Sequence, residues 1–309
     1  MKIAFLFSGQ GAQTIGMGKE LCENIPACDA VFCEASEALG MDIKHMIFDG
    51  DNETLMITEN TQPAILTMSI AALKAVETLG IKPDVVAGLS LGEYSAHVAA
   101  GSLNFQEAVK LVRLRGKYMQ EEVPVGVGGM AAIIGLDAES VREICAVASE
   151  KGIAEPANFN CPGQITVAGE VQAVEYACEL AKEKGAKRAM MLPVSAPFHT
   201  SMLKGAGDKL AKALEGVEFS DLQIPLITNV TADYVSDKDA IKDLLIRQIS
   251  SSVLFEDSIK RMIADGVDTF VEIGPGKALS GFVKKISKEV AVYNVEDMAS
   301  LAKLQEMGG

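Results

Sequence analysis

Gly88-Leu89-Ser90-Leu91-Gly92 sets a serine between two glycines, with an apolar run before it and a helical pattern after it. In that context the G-x-S-x-G pattern is a nucleophile turn: the glycines let the chain reverse sharply, and the hydroxyl stands exposed at the strand–helix corner. The N–H of the following residue, Leu91, then points at a developing oxyanion, reinforced by the helix N-terminus. The alternative is an ordinary structural turn. A serine at its free pKa needs a base, and the chain offers three histidines, His45, His97 and His199. His97 lies seven residues beyond Ser90 on the same predicted helix, about two turns or ~10 Å along the axis, which suits a packed or surface role. His45 sits between Lys44 and Met46 in what reads as a loop. His199, in Pro197-Phe198-His199-Thr200-Ser201, occupies a loop-to-helix junction from which a side chain can reach a cleft. Position ranks it first without excluding the others, and no acid presents itself as a third member.

The first apolar run, Ile3–Phe7, ends in Gly9-Gln10-Gly11-Ala12-Gln13. Thr14 stands where a dinucleotide fingerprint needs its third glycine, and the Lys-Ser/Thr ending of a P-loop is missing. A glycine-flanked turn beside a serine site has a remaining use, to supply a second oxyanion N–H.

The elements that would hold these groups alternate between strand and helix, the pattern of an α/β protein. Ile3–Phe7 reads as a parallel strand buried on both faces. A helix is expected over about 17–39, another from Pro63 at its first position to about 79, then a strand at 85–87 and a helix over about 105–122. Composition turns glycine-rich at 123–129. The next stretch carries its own rhythm: strand 130–136, helix 138–151, strands near 153–158 and 164–168, helix 171–184 and strand 188–194. That order is ferredoxin-like. The expected organisation is a large α/β hydrolase-like domain with a parallel core, residues 1–125 and 197–309, interrupted by a small ferredoxin-like α+β subdomain, residues 126–196. Helices at 241–250 and 255–264, a strand at 269–273, a Gly274-Pro275-Gly276 turn and a helix from Ala278 complete the pattern.

The chain of 309 residues carries 28 Lys and Arg against 42 Asp and Glu, a formal net charge of −14. Such a chain repels phosphate backbones, and it has no basic arm, so nucleic-acid binding is not expected. An acidic partner would have to meet local basic residues: Lys184, Lys187 and Arg188 form one candidate patch, and Lys284, Lys285 and Lys288 another. Both also fit solvated helix faces. Six cysteines without a CxxC pair, beside three histidines, give a metal site few ligands. The short apolar start runs into Ser8-Gly9-Gln10-Gly11 with no cleavage-like site, and no stretch approaches a membrane span. A cytoplasmic protein with reduced thiols is expected.

Taken in order, Gly9-Gln10-Gly11-Ala12-Gln13, Gly88-Leu89-Ser90-Leu91-Gly92-Glu93-Tyr94, Arg115-Gly116-Lys117, Pro197-Phe198-His199 and Gly274-Pro275-Gly276 closely resemble the malonyl-CoA:acyl carrier protein transacylases over essentially the whole chain. The resemblance implies that Ser90 is the acylated nucleophile and His199 its base. It implies an oxyanion hole from the N–H groups of Gln10 and Leu91, and a clamp on the malonyl carboxylate by Arg115, whose fork a lysine could not copy. It assigns the orientation of His199 to the main-chain carbonyl of Gln248 in place of a triad acid. Asn158, Asn160 and Phe198 match positions near the acyl pocket, although two asparagines are equally at home as turn residues. Arg113, two residues before Arg115, reads as solvated. Leu89 departs from the family's usual Gly-His-Ser-Leu-Gly, a change that bears on rate or selectivity and spares the nucleophile. Bulky Phe198 favours malonyl over methylmalonyl. The implied partners are malonyl-CoA and acyl carrier protein, and no cofactor is implied; a monomer is expected. The rivals are an esterase or thioesterase on the same serine, a transferase of other acyl preference, and an inactive scaffold.

Overall fold

The computed structural model describes residues 1–194 and 196–308. Its larger sheet has five parallel strands, and its smaller sheet four antiparallel ones. In chain order the strands are β1 Ile3–Phe7, β2 Val85–Gly88, β3 Gly128–Ile134, β4 Ala154–Cys161, β5 Gln164–Glu170, β6 Arg188–Met191, β7 Leu226–Ile227, β8 Thr269–Ile273 and β9 Ala291–Val295.

The parallel sheet runs β7-β2-β1-β8-β9. Its inner strands are buried on both faces by helices, so they lack the polar–apolar alternation of a half-exposed strand. Strands β1 and β2 carry no polar side chain, and Glu272 in β8 is buried with the Leu279 and Ser280 N–H groups donating to it. Successive residues of β1 still point to opposite sides. Phe5 and Phe7 pack into the core shared with the helices Pro26–Leu39, Thr58–Glu77, Phe105–Glu122 and Lys204–Glu215. Ala4 and Leu6 pack with Phe255, Ile259, Leu279 and Val283 from the helices Phe255–Ala264 and Ala278–Ile286.

The second sheet has the order β4-β5-β3-β6, which with the helices Ala138–Ala148 and Val171–Glu183 is the ferredoxin-like arrangement. One face is covered by those helices through Ala131, Ile133, Val141, Ile144, Val167 and Val174. On another side of the sheet, Met130, Ala157 and Ala168 pack against Phe198. Strand β4 is also stitched to the loops around the serine. Ser201 donates from its N–H and hydroxyl to the Glu155 carboxylate at 2.7 and 2.6 Å. The Phe159 N–H donates to the Val253 carbonyl at 2.9 Å, and the Ser252 hydroxyl to the Pro156 carbonyl at 2.6 Å.

Three local expectations are corrected. The helix expected over 17–39 is two, Lys19–Asn24 and Pro26–Leu39, because Ile25 precedes a proline and is held extended at φ −130°, ψ 105°. Pro63 lies inside the helix Thr58–Glu77 rather than at its start. It is buried there, and core packing of that helix outweighs the lost backbone bond. His45 belongs to a short helix, Ile43–Phe48, capped by Asp42, and not to a loop. Among the described residues, no helix is long and apolar enough to cross a membrane.

Candidate active site

Strands β1 and β2 are adjacent and parallel, so the turns after both lie together at the carboxyl end of the sheet, where open α/β sheets place their sites. The chain reverses at Ser90 in a left-handed conformation, φ 54°, which a non-glycine residue adopts only when its surroundings impose it. The surroundings are specific. The Ser90 N–H donates to Asn229 Oδ1 at 2.6 Å, and Asn229 Nδ2 donates to the Gly88 carbonyl at 2.6 Å, so one side chain clamps both ends of the turn. A Cβ on Gly92 would lie 2.0 Å from the Phe7 carbonyl oxygen, so only glycine lets this turn seat on the end of β1. Leu89, at the position that departs from the family pattern, packs into the core beneath the sheet with Ala4, Leu6 and Ala87.

Ser90 Oγ lies 2.7 Å from His199 Nε2. His199 Nδ1 lies 2.8 Å from the main-chain carbonyl of Gln248, in the helix Ile241–Ile249. A carbonyl only accepts, so Nδ1 carries the proton and Nε2 is left to take one from the serine. His199 also has a positive φ, 63°. It is buried, and burial followed by the charge of Arg115 pulls its pKa down to about 4. At neutral pH the ring is uncharged, the form a general base needs.

Arg115 projects from Phe105–Glu122 and is fully buried. Nη1 donates to Gln62 Oε1 at 2.9 Å, while Nη2 donates to Gln248 Oε1 at 2.9 Å and to Ser90 Oγ at 3.1 Å. The guanidinium lies over the Tyr94 ring, 5.3 Å from its centroid. All these hydrogen-bond partners are neutral, and among the described residues Nε has no acceptor. A buried cation with an unused donor beside a nucleophile has the chemistry to receive an anion.

Gln10 and Leu91 sit on either side of this turn. Gly9 packs against the Leu89 carbonyl, so close that a Cβ there would approach it to 2.6 Å, and Gln10 follows directly. The Gln10 side chain reaches Thr58 Oγ1 at 3.4 Å. Among the described residues, the N–H groups of Gln10 and Leu91 have no protein acceptor. Phe198, half-buried, separates His199 from the small sheet. Asn158 and Asn160 are buried in β4, where Asn160 Nδ2 meets Thr166 Oγ1 at 3.5 Å. No hydrogen bond joins either asparagine to Ser90, His199 or Arg115 among the described residues. His97 lies apart, bonded to Ser102.

Sequence reasoning missed Gln62, Asn229 and the part played by Glu93. Glu93 is wholly buried, and its Oε2 accepts from Asn229 N at 2.8 Å and Gln248 Nε2 at 2.9 Å. The Gln248 side chain also donates to the Ser90 carbonyl at 3.0 Å, so this residue holds both the base and the nucleophile. A carboxylate on the otherwise buried first turn of Gly92–Ala99 was the available signal for Glu93. Asn229 had none beyond its place after the short run Leu226-Ile227.

The arrangement pairs a strained serine with a neutral histidine and a buried cation, and it can accept an acyl group bearing a carboxylate. Known proteins point the same way. The acyl transferase domain family matches residues 4–307. A malonyl CoA-acyl carrier protein transacylase of Bacillus subtilis is 52% identical over 297 residues, 96% of this chain and 94% of that protein. The crystal structure of the Clostridium perfringens enzyme of that name superposes with a TM-score of 0.96 at 50% identity, covering 100% of this chain and 98% of the other. A malonyl-transacylase solved in complex with its type II PKS acyl-carrier protein gives 0.97 at 42% identity, covering 99% and 100%. With family, fold and serine turn in agreement along its length, the chain belongs to the acyl transferase domain family.

Proposed function

We propose that this protein moves a malonyl group from CoA to the phosphopantetheine thiol of acyl carrier protein through a malonyl ester on Ser90, feeding fatty acid synthesis. The observation that carries the reading is the 3.1 Å separation between Arg115 Nη2 and Ser90 Oγ. An acyl group on Ser90 that is short and ends in a carboxylate can reach the guanidinium, and a plain acetyl group leaves that buried cation unanswered.

His199 takes the Ser90 proton through Nε2 as the hydroxyl attacks the thioester, and the Gln248 carbonyl steadies the imidazolium that forms. The N–H groups of Gln10 and Leu91 hold the oxyanion. CoA departs with the proton, and the carrier thiol, deprotonated by His199, attacks the ester in turn. Phe198 borders the acyl site, and Asn158 and Asn160 line its approach from the small sheet. The same reading divides the chain into 1–125 with 197–309 and an inserted 126–196, and has it act as a cytoplasmic monomer.

Despite the net negative charge, two basic segments far apart in sequence converge. Lys187 packs on Gly135, whose N–H donates to the Gly163 carbonyl at 2.8 Å, and the adjoining Gln164 accepts from Lys285 Nζ at 2.9 Å. This supports docking of an acidic carrier protein there. The test is to load the protein with malonyl-CoA, remove CoA and add acyl carrier protein. The malonyl mass is expected on the carrier. Release of free malonate at the same rate with and without carrier would overturn the transferase in favour of a thioesterase.

A further inference from the structure

Every hydrogen-bond partner of the buried Arg115 is neutral, yet one carboxylate lies close behind them. Gln248 bridges the two, accepting from Arg115 Nη2 on Oε1 at 2.9 Å and donating from Nε2 to Glu93 Oε2 at 2.9 Å. Both charged residues have no measurable solvent exposure. The mechanism above does not use Glu93, and a buried carboxylate costs several kcal/mol unless something compensates it.

We infer that Glu93 is the internal counter-charge of Arg115 and takes up a proton from solvent when a substrate carboxylate binds that arginine; the inference rests on the malonyl reading of the site. With the site empty, Arg115 and Glu93 offset each other across the Gln248 amide. A docked malonyl group brings a second carboxylate to one guanidinium in a region of low dielectric, where two like charges cannot both persist at low cost. The substrate carboxylate touches the guanidinium directly, whereas Glu93 reaches it only through Gln248, so the proton goes to Glu93. One proton leaves the solvent and one carboxylate becomes a carboxylic acid.

Other groups around Glu93 leave it as the one that titrates near neutrality. Burial pushes Glu93 up to about 7, with hydrogen bonds from Asn229 and Gln248 and the charge of Arg115 holding it from going higher. On its own helix, burial pushes Tyr94 up to about 12 and His97 down to about 3. From the facing elements, His199 is held near 4, and Arg115, though lowered by burial, stays a cation. Asn229 and Gln248 do not titrate. The sign follows. The complex raises the Glu93 pKa above its value in the free protein, so affinity for a carboxylate-bearing acyl group is full below about pH 7 and declines as pH rises through it.

The experiment uses the Ser90→Ala protein, which binds thioesters without being acylated. Calorimetric titrations with malonyl-CoA and acetyl-CoA are run at pH 6.5 to 8.5 in two buffers of different ionisation enthalpy. Malonyl-CoA is expected to take up a substantial fraction of a proton more than acetyl-CoA at pH 7.5, and its Kd to weaken roughly tenfold across the range. Adding Glu93→Gln should abolish both effects. Equal proton counts for the two thioesters overturn the inference even if Glu93→Gln does not fold, and so does a pH dependence that survives the glutamine. Failure of malonyl-CoA to bind at any pH would instead bring down the malonyl reading, and the inference with it.

Discussion

Among the described residues, two buried histidines each meet a serine at nearly equal distance. Ser90 Oγ lies 2.7 Å from His199 Nε2, and Ser102 Oγ lies 2.8 Å from His97 Nδ1. Burial depresses the pKa of both histidines, to about 4 and about 3. What differs is everything around them. Ser90 and His199 both carry positive φ angles, and Ser102 and His97 do not. Ser90 is partly exposed with a cation 3.1 Å away, whereas Ser102 is buried and donates to the His97 carbonyl at 3.1 Å. In the first pair the far ring nitrogen is tied to the Gln248 carbonyl. In the second the ring packs edge-on to Phe219. A serine–histidine hydrogen bond is therefore no evidence of catalysis by itself; imposed strain, an orienting acceptor and an adjacent charge are what separate a reactive pair from a structural one.

The comparison breaks most decisively at the two histidines. His199→Ala is expected to slow formation of the acyl-enzyme by about 10²–10⁴, measured by rapid quench with malonyl-CoA. His97→Ala should leave that rate within a few-fold and lower stability by about 2–4 kcal/mol through the cavity it leaves, measured by denaturant unfolding. Equal rate losses in the two variants would erase the distinction.

Arg115→Ala is the next largest. It should lower kcat/KM for malonyl-CoA by about 10²-fold or more, as expected when a charge-assisted contact worth roughly 3 kcal/mol is lost. Acetyl-CoA turnover should not fall with it, and a parallel fall for both thioesters would reduce Arg115 to a structural role.

Acid sharpens the contrast through stability. Both histidines have folded pKa values below their ordinary 6.5. Their contributions are therefore present above about pH 6.5 and lost as pH falls toward 4 and 3. Glu93, raised to about 7, acts with the opposite sign, its contribution present at low pH and lost as pH rises from about 4.5 to 7. Stability is expected to fall below pH 6 by up to about 1.4 kcal/mol per pH unit for each histidine, seen as a lower melting temperature. A His97→Gln variant should flatten that slope while leaving the acid limb of activity, set by His199, in place. The smallest effect belongs to the surface: Lys187→Glu with Lys285→Glu should raise KM for the carrier protein severalfold at low salt and leave self-acylation unchanged.

Much of this was legible in the sequence where local chemistry is strict. Ser90 stands out because glycines flank its turn, and the strands read at 85–87 and 269–273, observed as Val85–Gly88 and Thr269–Ile273, because both run into glycine turns. The ferredoxin-like order followed from the rhythm of six short elements. What stayed hidden depends on distant contacts. Asn229 reaches Ser90 across 139 positions, and Gln248 reaches Glu93 across 155; no period or local motif encodes such pairs. The two-residue strand Leu226–Ile227 and the half-buried Ala291–Val295 are too short or too exposed to stand out from loops. Pro63 was read as a helix start because proline favours that position, and tertiary burial prevailed over that preference.

The most direct measurement is the intact mass of the pure protein after brief mixing with malonyl-CoA, followed by mapping of the modified residue. One malonyl adduct on Ser90 is expected, absent from Ser90→Ala and undiminished in Ser102→Ala. An adduct that persists in Ser90→Ala, or none on the unaltered protein with any acyl-CoA, would contradict it.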